Sequence, residues 1–219
     1  MIEFHAYDLS TMLPELFLLG ATCLILLIDL FLKQSQRDTT HWLTIAALAV
    51  TGVLVWNRAL PDGASLSAFN DMFVLDGMAT ILKIFILLVT LAVCVYARAY
   101  LRDRKLFIGE FYLLLLFACI GMMVLVSAGN LITVYLGLEL LTLSQYALVA
   151  LNRDSSASSE AGMKYFVLGA LASGLLLYGM SMIYGATGTL DLAKIHVVVG
   201  DMMHSEHRTL LAFGLVFLI

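Results

Sequence analysis

The chain has 219 residues, 62% of them hydrophobic and only 13% charged, with a formal net charge of −4. Soluble domains average about 25% charged residues, so a soluble globular fold is excluded. The acidic balance also excludes a nucleic-acid-binding protein, so no nucleic-acid partner is expected.

The apolar residues come in long unbroken runs, unlike the alternating segments of a membrane β-barrel. Helices are the other way to satisfy every backbone group in hydrocarbon. The expected fold is all-α: a polytopic membrane protein with about six full transmembrane helices and the start of a seventh, surrounded by the lipid bilayer.

The first ten residues carry Glu3, His5 and Asp8 but no Lys or Arg, so the first apolar run lacks the basic flank of a cleaved signal. It is read as a spanning helix over about 12–32. Pro14 falls in its first turn, where a missing N–H costs little. Glu15 at the entry and Asp29 near the exit are read as interfacial acids, with Lys33 four residues on to pair with Asp29. The second helix is expected over 41–60, with Trp42 and Trp56 near its ends as aromatic belts require. Pro61-Asp62-Gly63 stops it, and the polar stretch to Asn70 is expected to be an exposed loop.

The third helix is expected over 73–99. Asp76 and Lys83 lie seven residues apart on one face, with Asp76 near the outer end. Lys83 has no opposite charge one turn away, so its partner must be another helix or water. The competing reading is a lysine that snorkels to the interface. Arg98, Arg102, Arg104 and Lys105 then form a basic loop. A fourth helix over 106–127 has Glu110 in its first turn, where the helix dipole favours an acid. Ala128-Gly129-Asn130 leaves room only for a tight turn, so the fourth and fifth helices must be antiparallel neighbours.

The fifth helix, 130–151, holds Glu139 near its middle. Its 22 residues span about 33 Å, enough to cross a bilayer core. A charge at that depth costs about 2.5–3.5 kcal/mol on insertion scales. Glu139 is therefore either a working group or a structural acid hydrogen-bonded to Tyr135, Thr142 or Ser144. The serines at 155–159 can cap a sixth helix over 160–184, which carries Glu160 and Lys164. Its segment Gly169, Ala170, Ser173 and Gly174 offers small residues for close helix approach. Residues 190–207 are more polar and suit a short interfacial helix. His196, His204 and His207 lie there and are read as solvated. The apolar run from Thr209 to Ile219 is too short to span, so a seventh helix is expected to begin there and the chain to be a fragment.

Cys23, Cys94 and Cys119 each sit in an apolar run and form no CxxC pair, so they are read as packing residues rather than metal ligands. Placing the N-terminus outside puts Lys33, Arg37, Arg98, Arg102, Arg104, Lys105 and Arg153 on the cytoplasmic side. Only Arg58, Lys194 and Arg208 are then left outside, which favours that orientation.

Lys83, Glu139 and Lys164 are the candidate proton-handling residues. Burial favours the neutral forms of acids and lysines, and an opposite charge restores the ionised ones. A pair that forms and breaks can thus move a proton. Direct pairing of Glu139 with Lys164 is disfavoured. The first lies about 18 Å and the second about 6 Å from the same helix-end level, a gap wider than a lysine side chain bridges.

Residues 127–151, SAGNLITVYLGLELLTLSQYALVAL, and 160–192, EAGMKYFVLGALASGLLLYGMSMIYGATGTLDL, resemble the antiporter-like membrane subunits of respiratory complex I. Mrp-type cation/proton antiporter subunits and membrane-bound hydrogenase subunits are close to that family. The third-helix segment FVLDGMATILKIFILL, with Lys83, is similar to one branch of it. The resemblance implies an antiporter-like bundle in a bacterial inner membrane, built from two inverted five-helix repeats, with Glu139 as the first half-channel's glutamate. It implies a lysine on a seventh helix, past Ile219, as the partner of Glu139, and a second lysine on an eighth helix. Lys164 is expected to relay protons from the cytoplasmic side. Residues 1–105 would form the N-terminal three-helix region and 106–219 the first part of a proton-translocating repeat.

The resemblance also implies a subunit of NADH:quinone oxidoreductase that couples quinone reduction to proton pumping. It would bind no redox cofactor itself. FMN, iron–sulfur clusters, NADH and quinone would belong to the rest of the complex, and other membrane-arm subunits would be its partners. The alternatives are a subunit of an Mrp-type antiporter and a structural scaffold of the membrane arm.

Overall fold

The computed structural model describes residues 6–32, 38–61, 63–104, 109–201 and 208–218. The expectations for Glu3, His5, Lys33, Arg37, Asp62, Lys105, His204 and His207 lie outside the described residues.

A short helix α1 (Ala6–Thr11) leads through Met12 into α2 (Leu13–Phe31). Next come α3 (Asp38–Asn57), the strands β1 (Leu66–Ala68) and β2 (Phe73–Leu75), and α4 (Gly77–Asp103). The chain continues through α5 (Gly109–Val126), α6 (Leu131–Val149), α7 (Ser156–Thr187), α8 (Leu192–Asp201) and α9 (Arg208–Leu218). Six of these, α2 to α7, are long and apolar enough to cross a membrane. Trp42 and Trp56, near the ends of α3, are 60% and 70% exposed, as residues of an aromatic belt would be.

Two stretches depart from the sequence reading. Phe73–Leu75 is not the start of the third spanning helix. It is a strand paired antiparallel with Leu66–Ala68, and α4 begins only after Asp76. Asp76 stops the helix from extending backwards because its carboxylate accepts the Ala79 N–H at 2.6 Å, an N-cap arrangement. The second departure is α1, which adds about two turns of helix ahead of the first span.

The hairpin turn holds Phe69, Asn70 and Asp71 in the left-handed region, at φ 56°, 55° and 64°. Against it lies the tight turn between α5 and α6. Val74 N–H donates to the Ser127 carbonyl at 2.8 Å, and Gly129 N–H donates to the Met72 carbonyl at 3.0 Å. A side-chain carbon at Gly129 would strike the Asp71 carbonyl oxygen, so only glycine fits there. On its other side the same turn pairs with the α7–α8 connection. Leu131 N–H reaches the Leu190 carbonyl at 2.9 Å, and Leu192 N–H reaches the Gly129 carbonyl at 3.0 Å. Three connections at one end of the bundle are thus joined by backbone hydrogen bonds.

At the opposite end, long side chains link the helices. Arg98 and Arg102 each lie 3.0 Å from Asp38, and Arg153 lies 2.7 Å from Glu110.

The interior divides into two apolar clusters. Leu18, Ile25, Leu48, Val55, Leu87, Leu116, Ile120 and Met123 knit α2, α3, α4 and α5. Leu131, Met180, Ile183, Ala186 and Leu211 join α6, α7 and α9. The pairs α5–α6 and α7–α9 approach closely because glycines face each other. A Cβ on Gly121 would come within 2.7 Å of the Gly137 carbonyl, and one on Gly179 within 2.8 Å of the Gly214 carbonyl. Among the described residues nothing lies within 4 Å of a Cβ placed at Gly174. Gly169 instead receives the phenol of Tyr146. Helix α7 ends at Gly188, whose φ of 69° suits a residue without Cβ.

Candidate functional site

The charged groups inside the spans occupy three places. The first is at the hairpin end. Lys83 Nζ lies 2.6 Å from Glu15 Oε1, and both side chains are 1% exposed. The phenyl ring of Phe73 covers the ammonium, 4.7 Å from Nζ to the ring centroid, close enough for a cation–π contact.

The lysine therefore does not snorkel. Its partner comes from another helix, as the lack of a local opposite charge requires. That partner corrects the reading of Glu15 as an interfacial acid. Glu15 does lie in the first turn of α2, as the sequence suggests, but it is buried against Lys83 rather than solvated at the interface. Beta strand β2 supplies Phe73 from the side that the sequence reading had taken for the start of a helix.

Glu139 is the second. It lies near the middle of α6 and is partly buried. The Tyr135 side chain, one turn earlier, is close enough to interact electrostatically with its carboxylate. The other two candidate partners are engaged elsewhere: Thr142 Oγ1 donates to the Glu139 backbone carbonyl at 3.2 Å, and Ser144 Oγ to the Leu140 carbonyl at 2.7 Å. Among the described residues no ion pair reaches Glu139.

Lys164, near the start of α7, is the third. Its ammonium is 2.5 Å from Glu160 and its side chain is 71% exposed. Lys164 and Glu139 are not brought together, in keeping with their difference in depth.

The remaining acids hold the framework. Asp29 accepts a 2.6 Å hydrogen bond from Thr40 and packs against Gly109, where any side chain would collide with it. His196 on α8 is exposed. Cys94 and Cys119 are fully buried and Cys23 exposed, all as free thiols. Among the described residues no group of His, Cys, Asp and Glu is arranged to hold a metal ion.

At the hairpin end a polar cleft of about 950 Å³ opens beside the strands, lined in part by Asp71, Asp76, Ser127, Asp191 and Lys194. The Asp191 carboxyl there is held below the usual range, first by the Lys194 backbone N–H and then by its side chain.

A six-span bundle with acids and lysines held inside its helices defines a class: a membrane subunit that carries ionisable groups through hydrocarbon. Residues 128–219 match the family model of the transmembrane region of NADH:quinone oxidoreductase and Mrp antiporters. The chain is 50% identical over 194 residues to NADH-quinone oxidoreductase subunit N of Thioalkalivibrio sulfidiphilus (strain HL-EbGR7), covering 89% of this chain and 40% of that protein. It is 48% identical over 219 residues to subunit N of Ruthia magnifica subsp. Calyptogena magnifica, covering 100% of this chain and 45% of the relative.

Among solved structures, respiratory complex I from Thermus thermophilus with bound aureothin matches at TM-score 0.69 and 28% identity, over 94% of this chain and 42% of that one. The Mrp complex from Dietzia sp. DQ12-45-1b shares the fold at TM-score 0.72 and 18% identity, over 95% of this chain and 23% of that one.

The chain is thus a homologue of the antiporter-like membrane subunits of respiratory complex I, and its curated relatives are subunit N. It spans less than half the length of those relatives.

Proposed function

We propose that the chain is part of a proton-translocating membrane subunit of NADH:quinone oxidoreductase, with Glu139 as a proton-carrying group. One observation supports this above the others. Glu139 stands within a spanning helix, with Tyr135 one turn earlier and no cation beside it among the described residues. An ionisable group held inside a membrane span marks a proton or ion path. A lysine from the seventh helix would be its cation partner. Lys164, beside Glu160 at the start of α7, suits a relay that feeds protons from the cytoplasmic side. Lys83 belongs to a separate pair in the N-terminal three-helix region.

In this reading the N-terminus faces outward across a bacterial inner membrane. The end bearing Arg98, Arg102 and Arg153 faces the cytoplasm, as the distribution of basic residues favours. Residues 1–105 and 106–219 divide between the three-helix region and the first repeat. The chain holds no redox cofactor. NADH, FMN, iron–sulfur clusters and quinone act elsewhere in the complex, and other membrane-arm subunits are its neighbours.

The test is Glu139→Gln in the full-length subunit within the assembled complex. Inverted membrane vesicles are expected to oxidise NADH yet move fewer protons per NADH. Unchanged pumping removes Glu139 from the path. Lost assembly with no pumping defect in the residual complex points to a scaffold. Sodium-dependent transport without NADH points to an Mrp-type antiporter.

A further inference from the structure

The Glu15–Lys83 pair is a second ionisable site, separate from Glu139. Glu15 Oε1 faces the Lys83 ammonium at 2.6 Å, yet among the described residues neither buried carboxylate oxygen has a hydrogen-bond partner of good geometry. A buried carboxylate oxygen without a donor is costly, and a clamp evolved only for rigidity would satisfy it. The other face of the ammonium is turned to the Phe73 ring, which stabilises a cation when its carboxylate becomes neutral.

Among the described residues Lys83 supplies the charge beside Glu15. Arg58, past the end of α3, donates to the Ser10 carbonyl. Asp76 is occupied in capping Ala79. Phe73 covers the ammonium, and the next residue on the strand, Val74, lines the cleft together with Asp76 and Ser127. The Ser127 hydroxyl is buried there with no hydrogen-bond partner.

We propose that Glu15 and Lys83 form a proton-loading site in the three-helix region, with Glu15 Oε2 as the proton acceptor on the hairpin side. A proton reaching Oε2 forms an O–H bond and turns the carboxylate into the acid, while Lys83 stays an ammonium against Phe73. Release breaks that O–H bond and restores the ion pair. No electron moves. The site serves the proton-translocating role proposed above and rests on that reading.

The test uses the complete complex with the full-length subunit. Dicyclohexylcarbodiimide adds to protonated carboxyl groups in apolar surroundings, and peptide mass spectrometry locates the adduct. Glu15 is expected to carry an adduct in the parent complex, and more of it in Lys83→Met, where no ammonium holds the carboxylate ionised. An adduct in Lys83→Met with none in the parent shows a permanently ionised clamp and overturns the proposal.

A second arm uses the double variant Glu15→Gln/Lys83→Met, which removes both charges at nearly constant volume. A clamp survives that exchange, so a double variant that assembles and pumps like the parent also overturns the proposal. Assembly with NADH oxidation retained and a lowered proton-to-NADH ratio supports it. Labelling reads the protonation of Glu15 whatever the subunit's role. The Glu139→Gln result therefore fails or succeeds independently of it.

Discussion

Gly121 and Gly137 face each other across the α5–α6 contact, and each backbone carbonyl occupies the space a side chain on the other would need. That contact fixes the height of α6, and so of Glu139, against the first apolar cluster. Gly121→Leu is expected to part the two helices. Overpacking of this kind costs about 1–3 kcal/mol, and more where the obstacle is backbone. The amount of intact complex recovered on native gels is expected to fall. Gly174→Leu serves as the control, because that position is open, and is expected to leave assembly unchanged.

Tyr135 lies one turn before Glu139, close enough to interact with its carboxylate. Tyr135→Phe removes the phenol hydroxyl while keeping the ring. Proton pumping in vesicles is expected to fall, though less than in Glu139→Gln, with assembly preserved. Equal pumping in Tyr135→Phe and the parent would show that the phenol does not tune the acid.

Glu160 and Lys164 form an exposed pair one turn apart on α7. Such pairs contribute about 0.3–0.5 kcal/mol, so neither residue is expected to matter for stability. Glu160→Gln and Lys164→Met are therefore both expected to assemble normally. If Lys164 relays protons, only its own substitution lowers pumping. Equal effects of the two changes would instead assign the pair to local charge at the helix start.

Asp191 caps α8, accepting the Ala193 N–H at 2.9 Å and the Lys194 N–H at 3.2 Å. Its carboxyl is held below the ordinary range by Lys194, backbone first. A lowered value in the folded state means the contribution is complete above the unfolded value, about 3.9, and fades as pH falls through the folded value. Hydrogen-exchange protection of residues 190–201, corrected for intrinsic rates, is expected to hold at neutral pH and drop below about pH 4. Asp191→Ala is expected to lower it at neutral pH and to remove the drop at low pH.

The spans were legible because their signal is plain: unbroken apolar runs, Trp42 and Trp56 at the ends of one helix, and serines and Gly188 marking another. Glu139 was legible for the same reason, as a lone acid amid hydrocarbon. Lys83 announced a need for a partner but not its identity. Glu15 was placed correctly at the start of the first span, but its burial depends on Lys83 of another helix, which sequence spacing does not pair with it.

The β2 strand was hidden by its context. Phe73, Val74 and Leu75 run straight into an apolar helix, and only the Asp76 cap separates the two. Helical contacts such as Gly179 with Gly214 depend on which faces meet, and sequence spacing pointed to Gly174 instead.

The backbone hydrogen bonds that join the hairpin, the α5–α6 turn and the α7–α8 connection have a mechanical consequence. At that end the termini of α4, α5, α6 and α7 are tied into one backbone network, so a substitution that breaks it at Gly129 disturbs two neighbouring connections at once. The other end is tied by the side chains of Arg98, Arg102 and Arg153, so a single arginine substitution there removes one link and leaves the backbone pairing intact.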